Sequence, residues 1–318
     1  MSTRADIDVV TPVGRPDPAL EDSVESVLSQ QGDFTLGRII IVNDGDKSPE
    51  GRAVLDRLSR RHPAVRVIDL PSNVGPAAAR NIGTREATAT WVAFLDADDT
   101  MLPGAIDVRL RAAREMPGIG MICGDFIWRD VTAGTERPGA IRGSAAGRAL
   151  LQDDRPAVRL HRPFEAFVES PLAHMCGTLF NLDAFRAAGG FDERIWRQHD
   201  YNLFLRLTLR HDVVFVKTDV GSYNNSVGSW SRRQDINDWR ALACLALLEQ
   251  DLTEAQRRAV LRKVEWCYRS RRYACLTARA YGPALVYRMK EARCALARSL
   301  KAMAPVVPDL PLGRPAAS

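Results

Sequence analysis

Trp91-Val92-Ala93-Phe94-Leu95-Asp96-Ala97-Asp98-Asp99 is the stretch whose reading decides the fold. Five apolar residues run without interruption into three carboxylates within four positions. An unbroken apolar run of this length fits a strand covered on both faces, the kind found in parallel sheets. The carboxylates then stand where the strand leaves the sheet. Open α/β sheets bind their ligands in the crevice at that end. Clustered carboxylates repel each other unless a cation lies between them, and hard cations such as Mg²⁺ and Mn²⁺ take oxygen ligands. The expectation is a divalent ion bridging to a phosphate. The competing reading is an acidic strand-to-loop turn with no ligand, because Asp also favours turns and helix caps.

Outward from this stretch, strands and helices alternate. Residues 7–13, 38–43, 65–70, 90–95 and 119–128 read as strands, and residues 49–61, 77–87 and 103–114 as helices. Asp17 is placed to cap a further helix with Pro18 at its first position, where Leu20, Val24, Val27 and Leu28 share a face. Successive strand–helix units imply right-handed crossovers and an α/β, Rossmann-like, mostly parallel sheet flanked by helices. Residues 131–171, rich in Gly, Arg and Pro, break the pattern and predict an excursion with one or two short helices. Regularity returns at 182–188, with a helix expected at 200–210 and a strand at 213–217. Residues 235–303 read as a C-terminal helical extension, interrupted at Gly282-Pro283, whose last helix is amphipathic. The expected organisation is a domain over 1–225 with halves at 1–130 and 131–225, a loop and helical region over 226–303, and a disordered Pro-rich tail over 304–318.

Composition narrows the class. The chain has 318 residues, 46% hydrophobic and 26% charged, ordinary values for a soluble globular protein with a substantial core. Net charge is +5, with an excess of Arg after Arg232. No interleaved aromatic pattern or recognition motif accompanies it, so no nucleic acid partner is expected. A solvated helix face, an anionic membrane surface or a phosphate-bearing acceptor remain as readings. The six cysteines form no C-x-x-C pair, which points away from a disulfide framework or zinc site and towards a cytoplasmic location. The polar N-terminus does not read as a secretory signal, and no apolar run reaches the roughly 18 residues needed to span a bilayer. There is no G-x-G-x-x-G after the first strand and no G-x-x-x-x-G-K-[ST] loop, so phosphates must be held by metal and side chains.

Four segments in order resemble the family 2 glycosyltransferases of GT-A fold, of the kind that build bacterial cell-surface polysaccharides. They are Thr11-Pro12-Val13-Gly14-Arg15, Ile40-Ile41-Val42-Asn43-Asp44-Gly45, residues 73–83 from Asn73-Val74-Gly75 to Arg80-Asn81-Ile82-Gly83, and Phe94-Leu95-Asp96-Ala97-Asp98-Asp99. A fifth, Gly189-Gly190-Phe191-Asp192-Glu193 followed by Gln198-His199-Asp200-Tyr201, resembles the family's acceptor-side half. The similarity covers about residues 7 to 220.

This resemblance implies an inverting, metal-dependent transfer of a sugar from a nucleotide-diphospho sugar, a UDP-sugar first, to a glycan or lipid-linked acceptor. It implies that Pro12 and Val13 line the base pocket, that Asp44 accepts a hydrogen bond from the base, and that Arg80 lies near base and phosphates. It gives Asp96 the ribose, Asp98 the Mn²⁺ or Mg²⁺ of a D-x-D motif, and Asp99 a second ligand or a cap. Asp200 matches the base that deprotonates the acceptor hydroxyl. Trp230 and Arg232 (or Arg233) fall in a loop expected to close over the donor. Two positions depart from the family pattern: Asn43 where Asp is common, and His199 in place of Glu. The Q-x-x-R-W pattern of processive synthases is absent, which favours single-sugar transfer. The competing functions are a non-catalytic nucleotide-sugar-binding or scaffold paralogue and a sugar-1-phosphate nucleotidylyltransferase. The latter lacks its expected Gly-rich stretch here. The basic C-terminal helices are candidates for peripheral contact with the inner membrane or for pairing in a homodimer.

Overall fold

The computed structural model describes residues 5–170, 172–225 and 235–299. They divide into two compact units. The first comprises Met1–Pro163, Pro171–Phe191 and Leu207–Val227, and the second Phe164–Ser170, Asp192–Arg206 and Gly228–Ser318.

The first unit is built on one mixed sheet. Its first four strands run parallel: β1 (Ala5–Val13), β2 (Phe34–Asn43), β3 (Val65–Asp69) and β4 (Trp91–Phe94). The short β5 (Thr100–Met101) and the long β6 (Ile119–Asp130) follow, then β7 (Thr135–Pro138) and β8 (Ala157–Leu160). β9 (Thr178–Asn181) and β10 (Asp212–Asn225) complete the sheet. The order is β3-β2-β1-β4-β9-β6-β10-β5, with β7 paired to β6 and β8 to β10. β9 lies antiparallel between β4 and β6. Strand order thus runs outward from β1 to β3, then restarts on the other side of β1 with β4. The crevice at the carboxyl ends of β1 and β4 is the switch point where this architecture places ligands.

Sequence periodicity explains why the sheet is covered on both faces. Ile7, Val9, Val13, Ile39 and Ile41 alternate onto one face. They join a core with Leu20, Val24 and Val27 of the helix Pro18–Leu28, Val54, Leu55 and Leu58 of Pro49–Arg61, and Ile106 and Leu110 of Ala105–Glu115. Val10 and Val42 face the other way, onto the helix Pro76–Glu86. There Gly83 lets the backbone approach so closely that a Cβ would sit 2.5 Å from Val10. Phe94 adds an aromatic cluster with Phe180, Phe185 and Phe191, ring centroids 5.4, 5.3 and 4.9 Å away. The helices start as the sequence predicts: Asp17 accepts from the Ala19 amide at 2.9 Å, and Ser48 from Gly51 at 3.1 Å.

The 131–171 excursion holds more structure than expected. β7 and β8 accompany the short helices Ala140–Gly143, Ala145–Leu151 and Phe164–Glu169.

The second unit is helical, with Ile236–Leu245, Glu254–Thr277 and Tyr281–Ser299 its longer C-terminal members. Within it, Asn202 donates to the Ala243 carbonyl at 2.8 Å, the Tyr201 hydroxyl to Val168 O at 2.9 Å, and Lys263 to Glu169 O at 2.8 Å. Residues 164–170 and 192–206 therefore group with the C-terminal helices, where the sequence placed them with the sheet. The 304–318 tail lies outside the described residues.

Candidate active site

The candidate site forms where β1, β2 and β4 end. The chain leaves β4 through Leu95, whose amide donates to Val10 O at 3.1 Å and so keeps the turn beside β1. Asp96 follows, half-buried, paired with Arg80. Arg80 is only 5% exposed and lies 5.7 Å over the Phe191 ring. It is therefore no helix-surface arginine: one wall of its site is aromatic, and its guanidinium fixes the Asp96 carboxylate.

Asp98 and Asp99 differ sharply. The Asp98 side chain reaches solvent. Protein crowding behind it, then the charge of Asp96, raises its pKa to about 6. Asp99 is fully buried. Burial first, then Asp96 and Asp98, pushes its pKa well above the usual carboxylate range. One Asp99 oxygen accepts the Asn224 amide at 2.9 Å, while the other, Oδ2, is buried with no hydrogen-bond partner. The Asn224 side chain donates to the Asp98 carbonyl at 2.6 Å. Asn224 thus clamps the acidic turn onto β10, a role its sequence position in a polar loop does not signal.

Among the described residues no three His, Cys, Asp or Glu side chains converge as a closed metal site. An accessible carboxylate of raised pKa with an orphaned carboxylate oxygen behind it fits a cation that completes its shell with phosphate and water. Asp98 is the side chain placed to meet such an ion directly. Asp99 stands behind it, buried and holding the Asn224 amide.

On the β2 side, Asp44 is 5% exposed and accepts the Val74 and Gly75 amides at 2.6 and 3.0 Å. Its first duty is to pin the turn that starts the helix Pro76–Glu86, and each oxygen keeps a second lone pair. Gly75, with φ 93°, makes that turn. Asn43 donates to Asp69 at 2.9 Å and to Asp46 O at 3.0 Å, and accepts the Asp46 amide at 3.0 Å. An Asp here would face Asp69, so the departure from the family pattern has a local electrostatic cause.

Val13 and Pro12 differ in exposure. Val13 is 3% exposed and belongs to the core, because strand alternation turns it inward, and of the pair only Pro12 reaches the surface. Asp200 lies in the second unit, half-buried in the first turn of the helix His199–Thr208, its carboxylate accepting the Tyr201 amide at 2.8 Å. The preceding Gln198 has φ 63°, a left-handed conformation rare for a side-chain-bearing residue. Trp230 and Arg232 lie outside the described residues.

The sequence reading also missed an aromatic wall where β6 and β10 end. Phe126 stacks on His174 at 4.3 Å, and Tyr223 meets His174 and Trp128 edge-on at 4.7 and 4.9 Å. The period-2 spacing of Phe126 and Trp128 was its only sequence signal.

The acidic turn stands beside the switch point of a doubly wound α/β sheet, the place where such sheets take their ligands. Residues 8–155 match the family described as Glycosyl transferase family 2. A pre-mycofactocin glycosyltransferase from Mycobacterium tuberculosis is 31% identical over 202 residues, covering 64% of this chain and 39% of the relative. Succinoglycan biosynthesis protein ExoO from Rhizobium meliloti is 37% identical over 83 residues, 26% of this chain and 22% of its own. The chain thus spans well under half the length of these curated relatives. The crystal structure of S. aureus TarS 1–349 in complex with UDP-GlcNAc superposes with a TM-score of 0.66 at 14% identity, covering 91% of this chain and 81% of that one.

Proposed function

We propose that this protein is an inverting, divalent-cation-dependent glycosyltransferase. It moves a single sugar from a nucleotide-diphospho sugar, a UDP-sugar first, to a hydroxyl of a glycan or lipid-linked acceptor in bacterial envelope or exopolysaccharide synthesis. The work is done on the cytoplasmic side. The observation that carries this reading is the Asp96–Asp99 turn at the β1/β4 switch point, with Arg80 holding Asp96 and Asp98 open to solvent. The UDP-GlcNAc bound by the TarS structure supports the donor class.

In this reading Asp96 receives the ribose hydroxyls, and Pro12 and the second lone pairs of Asp44 meet the base. Asp98, with Asp99 behind it, holds Mn²⁺ or Mg²⁺, which when bound neutralises charge on the departing diphosphate. Asp200 takes the proton from the acceptor hydroxyl as that oxygen attacks the anomeric carbon opposite the leaving phosphate. One displacement with one base gives inversion. Tyr223 and Trp128 supply ring faces against which a sugar packs.

The test is thermal stabilisation by UDP, dTDP, GDP and UDP-sugars, with and without Mn²⁺, on wild type and Asp98→Ala. Stabilisation by one nucleotide that requires Mn²⁺ and is lost in Asp98→Ala is the expected result. Asp200→Asn should keep that stabilisation while transfer falls about 10²–10⁴-fold. Indifference to every nucleotide would sink the donor site and leave the scaffold reading.

A further inference from the structure

The last helix of the second unit, Tyr281–Ser299, packs by one face and leaves the opposite face bare. Ala284 and Cys294 are buried, and Glu291 turns the same way to pair with Arg269 and Arg272 at 2.9 and 3.0 Å. At 100° per residue, Tyr281, Leu285, Met289 and Leu296 fall within a narrow arc on the far side. They are 68%, 60%, 61% and 59% exposed. Arg288 and Arg293 flank this arc, one on each side. Both are exposed, and neither has an acidic partner among the described residues. The helix's only acid is therefore taken up on the packed side, and the outer face is apolar with a cationic border.

No helix among the described residues is long and apolar enough to cross a membrane. We infer that this face lies in the interface of an anionic lipid bilayer, with Tyr281, Leu285, Met289 and Leu296 among the acyl chains and Arg288 and Arg293 on the headgroups. An apolar stripe bordered by cations is the pattern of helices that lie in the membrane plane. A second copy of the chain fits less well, because pressing two such faces together would set Arg288 and Arg293 against the same cations. At about 1.5 Å per residue the helix offers a lipid contact roughly 28 Å long. The inference is independent of catalysis, so its failure would leave the donor-site reading standing.

The experiment is co-sedimentation of the full chain with vesicles of phosphatidylcholine alone, or with about one third phosphatidylglycerol, at about 0.1 and 0.5 M salt. Wild type should pellet with the anionic vesicles only, and less at high salt. Arg288→Ala and Arg293→Ala should each weaken binding about five-fold. Leu285→Ser with Met289→Ser should abolish binding at both salts while leaving the melting temperature unchanged, since both side chains are exposed. Arg60→Ala, an exposed cation of the first unit, should change nothing. Absence of binding, binding that ignores the helix substitutions, or a dimer in sedimentation velocity that Leu285→Ser dissociates would each overturn the inference.

Discussion

Asn43 shows how one side chain can be set by a neighbour far along the chain. Its amide donates to Asp69, which holds the Asp69 carboxyl below the usual carboxylate range, with Arg52 adding to the effect. The folded pKa is depressed, so this contribution is present above about pH 4 and is lost as pH falls through the lowered value. Asn43→Asp removes both donors and sets two carboxylates face to face. We expect a loss of about 2 kcal/mol at pH 7, read from the urea midpoint. The deficit should shrink towards pH 4 as one of the pair takes up a proton and donates again. Asp99 has the opposite sign. Its raised folded pKa makes the folded state less stable as pH climbs above the unfolded carboxylate value. Asp99→Asn should therefore raise the melting temperature at pH 8, with the gain fading towards pH 4. A loss of stability at pH 8 would show that the buried carboxylate is compensated. Asp96, Asp98 and Asp99 were legible because they are adjacent in sequence. Asn224 was not, because it stands 125 residues from the carboxylate it holds.

At the scale of elements, the four parallel strands and their helices were legible because each carries its own period and caps. β9 was not. Its four residues are too few to show alternation, and its place follows from filling the gap between β4 and β6. β10 is far longer than its apolar start suggests, because it continues past irregular pairing near Asp219 to reach the acidic turn. The turns that shape the donor side depend on backbone approach as much as on side chains. Gly45 has φ 87°, and a Cβ there would lie 2.4 Å from the Asn73 amide nitrogen and 2.5 Å from the Ser72 carbonyl carbon. Both the conformation and the space demand glycine. Gly45→Ala should cost about 2 kcal/mol or more and displace the Asp44-bound turn. Urea unfolding would read the stability loss, and Mn²⁺-dependent nucleotide binding should weaken with it. An alanine variant equal to wild type in both would show that the two turns move apart freely.

For the whole molecule, the sequence suggested that a domain ends near residue 225 and that helices follow as an addition. The chain instead crosses between the two units at 163/164, 170/171, 191/192, 206/207 and 227/228. Periodicity sees each helix but not which partner it packs on, so this interleaving left no local trace. Its consequences are physical. The segments Phe164–Ser170 and Asp192–Arg206 draw bonds from the C-terminal helices: Ala243 O for Asn202, Lys263 for Glu169 O, and Glu249 for Arg194 at 2.8 Å. Phe164, Phe167, Leu203 and Phe204 within them are almost completely buried. A chain ending at residue 225 would leave these segments without the helices they group with. Exposing even two or three such side chains forfeits about 1.5–3 kcal/mol each, a large part of a typical domain's 5–15 kcal/mol. The 1–225 fragment should therefore be poorly soluble or unfold without a cooperative transition, whereas residues 1–299 should melt in one step. A cooperative, monomeric 1–225 fragment with full-length protection of the 164–170 and 192–206 amides in hydrogen exchange would restore the sequence boundary and reduce the C-terminal helices to an appendage.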